Sequence, residues 1–183
     1  MKIKKVYGVG YNDLNQPTTN ESGKIEHFYS TWTAMFRRCY CQKYQAAHPT
    51  YQGCTVDPEW HSLSNFKRWY DAQGDVVGMS LDKDILTGSK VYGPDQCLFV
   101  PQWLNLFILE RSEGLTGAPY DKTHKTYAPK IERRSLGYYK TPEEAHRVWK
   151  AAKLEVVHRR KDEFDKVDKR IYPALGKRYE IAP

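Results

Sequence analysis

Apolar residues recur at helical spacing twice in the first half of the chain. Trp32, Met35, Phe36 and Cys39 fall at i, i+3, i+4 and i+7, which predicts a helix from residue 28 to about 40, capped by Ser30 or Thr31. Arg37 and Arg38 lie on or beside its polar face. Trp60, Leu63, Phe66, Trp69 and Tyr70 predict a second helix from about 58 to 73, stopped by Gly74. Residues 1–27 show no period and are rich in Gly, Asn, Thr and Pro. They read as an irregular arm with a short strand near 5–8. Residues 42–58, with His48-Pro49 and Gly53, read as a loop.

The pattern changes at residues 79–110. Leu81-Asp82-Lys83-Asp84-Ile85-Leu86 is followed by Tyr92-Gly93-Pro94-Asp95-Gln96-Cys97-Leu98-Phe99-Val100 and by Leu104-Asn105. This predicts a short strand closed by an acidic residue, a tight polar turn, a second strand and the start of a helix. Gly114 to Gly117 mark a linker. Beyond it, residues 118–122, 126–131 and 135–139 predict three short strands with turns at 123–125 and 132–134. Thr141 then opens a long helix, with Pro142 at its first position and Glu144 completing a capping box. Ala145, Val148, Trp149, Ala152, Val156 and Val157 give its buried stripe, and it runs to about residue 168. The elements predict an α+β fold in two modules, 1–113 and 114–183.

Charge separates those modules. Residues 1–113 hold 12 Lys+Arg and 12 Asp+Glu, net 0; residues 114–183 hold 17 and 10, net +7. A one-sided excess points to a polyanion such as nucleic acid, or to a basic solvated helix with no partner. No apolar run reaches the roughly 18 residues of a membrane span. No signal peptide follows the basic start, so the expectation is a cytoplasmic protein with no membrane partner. The four cysteines, Cys39, Cys41, Cys54 and Cys97, have poor zinc spacing and read as reduced structural thiols.

Tyr29-Ser30-Thr31-Trp32, Arg38-Cys39-Tyr40, Gly53-Cys54-Thr55-Val56, Glu59-Trp60, Asn65-Phe66 and the Leu81–Leu86 and Tyr92–Val100 runs carry a resemblance over about residues 25–110. In order and spacing they resemble the HNH-like (ββα-metal, His-Me finger) endonucleases of phage genomes, several of which are homing or free-standing mobile nucleases. Residues 114–157 carry a second resemblance, in Gly117–Lys122, Lys125–Ile131, Ser135–Tyr139 and Thr141–Ala145. They are similar to the ethylene-response-factor type of DNA-binding domain, in which a three-stranded antiparallel sheet enters the major groove and a helix braces its back. Together the resemblances imply an HNH-like ββα-metal module followed by a three-stranded antiparallel sheet packed on a long helix. They imply double-stranded DNA as partner, in a host cell cytoplasm if the chain is phage-encoded.

The implied chemistry is phosphodiester hydrolysis with one Mg²⁺ or Mn²⁺, which neutralises charge on the phosphate and the leaving oxygen. Oxygen ligands suit such a hard cation. By resemblance Asp82 and Asn105 are the metal ligands. Lys83 stands where the family's general-base histidine is expected. A lysine at its ordinary pKa of about 10.4 keeps its proton, although burial beside a cation disfavours the ammonium. Three readings stay open. Lys83 is a base with a depressed pKa; another group such as His61, Asp84 or a tyrosine is the base, leaving Lys83 free to hold the phosphate as an ammonium; or the hairpin is a degenerate, weakly active or inactive nuclease that keeps the fold. The last reading makes the protein a non-catalytic DNA-binding or phage–host regulatory protein. Lys122, Lys125, Lys130, Arg133 and Arg134, clustered on or between the proposed strands, are the candidate DNA contacts, with the two arginines as the candidates for guanine or phosphate.

Overall fold

In the computed structural model, residues 5–109 and 115–181 are described. The chain divides into two compact units, Met1–Gln102 and Trp103–Pro183. Part of the predicted linker, including Gly114, lies outside the described residues.

The first unit opens with a hairpin of β1 (Lys5–Val6) and β2 (Gly10–Tyr11). It lies on α1 (His27–Tyr40) with no side chain at Gly10, where a Cβ would stand 2.8 Å from the rings of Phe36 and Trp32. The helix starts within one residue of the predicted 28, but its cap differs from the predicted Ser30 or Thr31. Its cap position is Glu26, which makes no side-chain capping bond, and Ser30 lies within the first turn, its Oγ donating to the His27 carbonyl. Phe28 joins the core one turn ahead of Trp32.

The segment predicted as a loop is ordered. It holds α2 (Gln42–Ala47), a 3-10 turn at Pro49–Tyr51 and β3 (Thr55–Val56). The predicted 58–73 helix is two pieces, a 3-10 turn at Pro58–His61 and α3 (Leu63–Asp71). Between them Ser62 is extended, and its Oγ accepts from the Asn65 N–H at 3.2 Å. Asp13 fixes this break from the distant arm. Its Oδ2 accepts from the hydroxyls of Ser62 and Ser64, each at 2.7 Å, and its Oδ1 from the Ser64 N–H at 2.9 Å.

β4 (Ser80–Asp82) runs antiparallel to β6 (Leu98–Val100), with Asp82 opposite Leu98. The connection is no tight turn. It is a one-turn helix, α4 (Asp84–Thr87), closed by left-handed Gly88, and then β5 (Val91–Tyr92), which pairs parallel to β3. One aromatic core, including Trp32, Phe36, Trp60, Phe66 and Phe99, joins these elements.

The second unit takes most of α5 (Gln102–Ile108). Its strands are pairs of residues: β7 (Tyr120–Asp121) with β8 (Thr126–Tyr127), and β9 (Lys130–Ile131) with β10 (Arg134–Ser135). Tyr127 also bridges to Tyr139. The pairing among the three predicted strands is therefore broken into two two-residue ladders and the single Tyr127–Tyr139 bridge, in place of one continuous sheet. Buried Pro129, with no N–H to give a ladder, stands between β8 and β9 and divides the predicted 126–131 strand.

Thr141 caps α6 (Pro142–Arg159) as predicted, its hydroxyl accepting from the Glu144 N–H at 3.3 Å. The helix stops at Arg160 instead of running to 168, and α7 (Lys161–Val167) follows. The break turns Phe164 onto Trp103 and Phe107, with ring centroids 6.0 and 5.5 Å away. α8 (Ile171–Tyr179), which was not predicted, packs along α6. Among the described residues the protein is a mixed helix-and-strand molecule, 47% helical and 15% strand, with no sheet larger than two strands. Among those residues no helix is long and apolar enough to cross a membrane.

Candidate functional site

Asp82 ends β4 and starts the turn into α4. Its Oδ1 accepts from the N–H groups of Asp84 and Ile85, both at 2.8 Å, so one carboxylate oxygen caps the short helix. Burial pushes the carboxyl above its ordinary range, against the two backbone N–H bonds that favour the charged form. Oδ2 accepts no hydrogen bond among the described residues.

Lys83 follows and is 4% exposed. Its Nζ donates to Asp84 Oδ1 at 2.5 Å and lies 5.6 Å from the centre of the Tyr92 ring. Asp84 is half-exposed at the first position of α4. Two thiols share this neighbourhood. Burial pushes Cys39 and Cys97 up to about 12, so both are neutral and unreactive near pH 7.

Arg38 approaches the same phenol. Burial works against its charge, and the electrostatic influence of Tyr92 and Tyr51 outweighs that and holds the guanidinium above its usual range. It lies 5.5 Å over the Tyr51 ring, and no carboxylate is within ion-pair distance of it among the described residues.

His61 does not join this group through any hydrogen bond. Its Nε2 donates to the Val56 carbonyl at 3.1 Å, and its ring lies 6.1 Å from that of Phe36. Asn105 is exposed on α5 and belongs to the second unit, whereas Asp82 belongs to the first. Among the described residues no three His, Cys, Asp or Glu side chains gather as a metal-holding group. Mg²⁺ keeps several waters and takes only one or two carboxylates from a protein, so the free Oδ2 of Asp82 and the exposed carboxamide of Asn105 are donors of the right kind.

The five candidate DNA contacts are all exposed on the second unit's hairpins. Glu132 and Arg133 have φ of 47° and 67°, the paired left-handed conformation of a two-residue hairpin turn. Arg133 stands at that tip. Lys125 has φ 53° in the turn between β7 and β8. Arg134 is 3.9 Å from Glu155, a long contact between exposed groups, and Lys122, Lys125, Lys130 and Arg133 have no ion-pair partner among the described residues.

No family model matches the chain, and neither the curated proteins nor the solved structures contain a match to it.

Proposed function

We propose that the protein is a DNA-binding, divalent-metal-dependent endonuclease of the HNH-like kind, acting on phosphodiester bonds. The observation that carries this reading is the order of elements around Asp82. A strand ending on a carboxylate pairs antiparallel with β6, and the helix bearing Asn105 follows within two residues of that strand's end. A paired strand, strand and following helix are what the ββα resemblance implies, here with α4 and β5 inserted between the two strands. Asp82 Oδ2 would hold Mg²⁺, which when bound would supply charge neutralisation at the phosphate, and Asn105 is a ligand by resemblance alone. Lys83, its Nζ held by Asp84, stands next to Asp82 in the chain. The second unit, with 18 Lys+Arg against 12 Asp+Glu from residue 103 onward, supports binding to the DNA backbone.

A second reading, DNA binding without cleavage, draws support from Lys83. A side chain buried in an ion pair at 2.5 Å is poorly placed to take a proton from water. Plasmid nicking with Mg²⁺ and Mn²⁺ separates the two. The nuclease reading expects metal-dependent nicking by the parent and none by Asp82→Asn, which retains a side-chain acceptor for the α4 cap. No nicking by the parent under either metal favours the binding-only reading. Nicking by Asp82→Asn at the parent's rate moves the site elsewhere. Lys83→His adds a group that titrates near neutral pH. A gain of nicking marks Lys83 as the defect of a degenerate site, and a loss gives it a positive role.

A further inference from the structure

The β7–β8 hairpin keeps aromatic rings on its outside. Tyr120 and Tyr127 are register partners with ring centroids 5.3 Å apart. Tyr127 also exchanges two backbone hydrogen bonds with Tyr139, each 2.9 Å. Partners across antiparallel strands share a face, and successive residues alternate. Tyr120, Tyr127 and Tyr139 therefore occupy one face, and Tyr138 stands on the other with Asp121.

On that second face the His124 ring lies against Tyr138, centroids 4.9 Å apart and tilted by 46°. Asp121 fixes the imidazole. Its Oδ2 is 3.0 Å from His124 Nδ1, and its Oδ1 accepts from the N–H groups of Thr123 and His124. Tyr138 is 57% exposed and the His124 side chain 56% exposed. The same short stretch of chain carries Lys122, Lys125, Lys130 and Lys140, all exposed and none ion-paired among the described residues.

A duplex hides its base faces in the stack and offers only edges, sugars and phosphates. An exposed ring pair in positive surroundings gains most from the face of an unpaired base, whose phosphates the lysines can neutralise. We propose that the Tyr138–His124 pair is a stacking platform for an unpaired base of single-stranded or locally opened DNA. The proposal rests on the DNA-binding reading above and adds the form of strand that this face takes.

Fluorescence anisotropy of the full chain with labelled oligo-dT, and separately with a labelled duplex, tests it. Tyr138→Ala should weaken oligo-dT binding about tenfold and change duplex binding by less than about twofold, while Tyr138→Phe, which keeps a ring, stays near the parent. His124→Ala should give a smaller loss of the same kind. Tyr120→Ala removes an equally exposed ring from the opposite face and should change neither ligand. Unchanged oligo-dT binding by Tyr138→Ala, or an equal loss from Tyr120→Ala, overturns the platform. A parent that binds duplex but not oligo-dT overturns the platform and leaves the DNA reading standing. A parent that binds neither ends both.

Discussion

The two units reach stability by different means. In the first, side chains from α1, α3, the 3-10 turn before α3 and the β4–β6 pair meet in one aromatic core, and Trp32 is tied to the Trp60 carbonyl by a 2.8 Å hydrogen bond. In the second, strand pairing is broken into two-residue ladders, and the helices do more of the packing. Ile131 and Leu136 reach Ala152 and Val156 of α6, while Phe164, Ile171, Leu175 and Tyr179 are buried on α7 and α8. The difference bears on function. A hairpin that contributes little to a core can carry exposed lysines, a strained turn and open aromatic rings. The strand that carries Asp82 is itself part of a core and holds its carboxylate still.

The largest test strikes the first core. Trp32 is fully buried and touches both Phe36 and Trp60's backbone. Trp32→Ala should cost about 3–5 kcal/mol in the first unit. Denaturation followed by hydrogen exchange should show protection lost across α1 and α3 and kept in α6. Equal loss in α6 would mean that the units fold as one, and the contrast drawn above would fail.

A reciprocal test strikes the second unit. Gly117 has φ 75°, and a Cβ there would stand 2.1 Å from the Trp149 ring. Gly117→Ala combines a left-handed strain with a clash against an indole, and should destabilise by about 1–3 kcal/mol. The same exchange measurement should now show protection lost in α6 and kept in α1. A neutral outcome would mean that Trp149 moves aside freely and that this unit is packed more loosely than its helices suggest.

What the sequence revealed follows the same division. The apolar stripes of α1 and α6 were legible because each lies on one helix, and the Thr141 cap was legible because it is local. The break at Ser62 was not, because the group that holds it is Asp13, 49 residues away. α8 has a readable period at Ile171, Leu175 and Tyr179, but Pro173 and Gly176 disguise it. Pro173 is tolerated because it sits in the first helical turn, where the N–H that proline lacks would have had no intrahelical partner. Around Asp82 the sequence indicated the strand and its acidic end. It could not indicate that Oδ1 is used as a cap, that Lys83 turns inward onto Asp84, or that Arg38 arrives at Tyr92 from another helix. Those facts depend on which residues the fold brings together.

Asp82 therefore has a structural duty to be separated from any catalytic one. Asp82→Ala removes the acceptor of two backbone N–H groups and should cost about 1–2 kcal/mol, as loss of a helix cap does. Asp82→Asn keeps an acceptor and removes a buried charge. The linkage sign is opposite to that of most carboxylates. The folded pKa is raised, so protonation favours the folded state, and this residue's contribution improves as pH falls through the raised value toward the unfolded value of about 3.9. At pH 7, urea titration should therefore place Asp82→Asn at or above the parent and Asp82→Ala below it. If both fall equally, the carboxylate charge itself holds the turn.

The smallest effect belongs to Asp13, the residue that ties the irregular arm to the start of α3. Burial pushes its carboxyl up, but the hydroxyls of Ser62 and Ser64 and the Ser64 N–H outweigh that and leave it below the ordinary range. A depressed folded pKa means stability that is present above about pH 4 and is lost as pH falls through the folded value. Because Asp13 is largely exposed, solvent screens the interaction and the effect is modest. Asp13→Asn should lower the melting temperature of the first unit slightly at pH 7 and by less at pH 3, where the parent has lost the same charge. The second unit's transition should be indifferent at both values. An equal decrement at pH 7 and pH 3 would mean that the hydroxyl hydrogen bonds hold the arm by geometry alone, with no part for the ionised carboxylate.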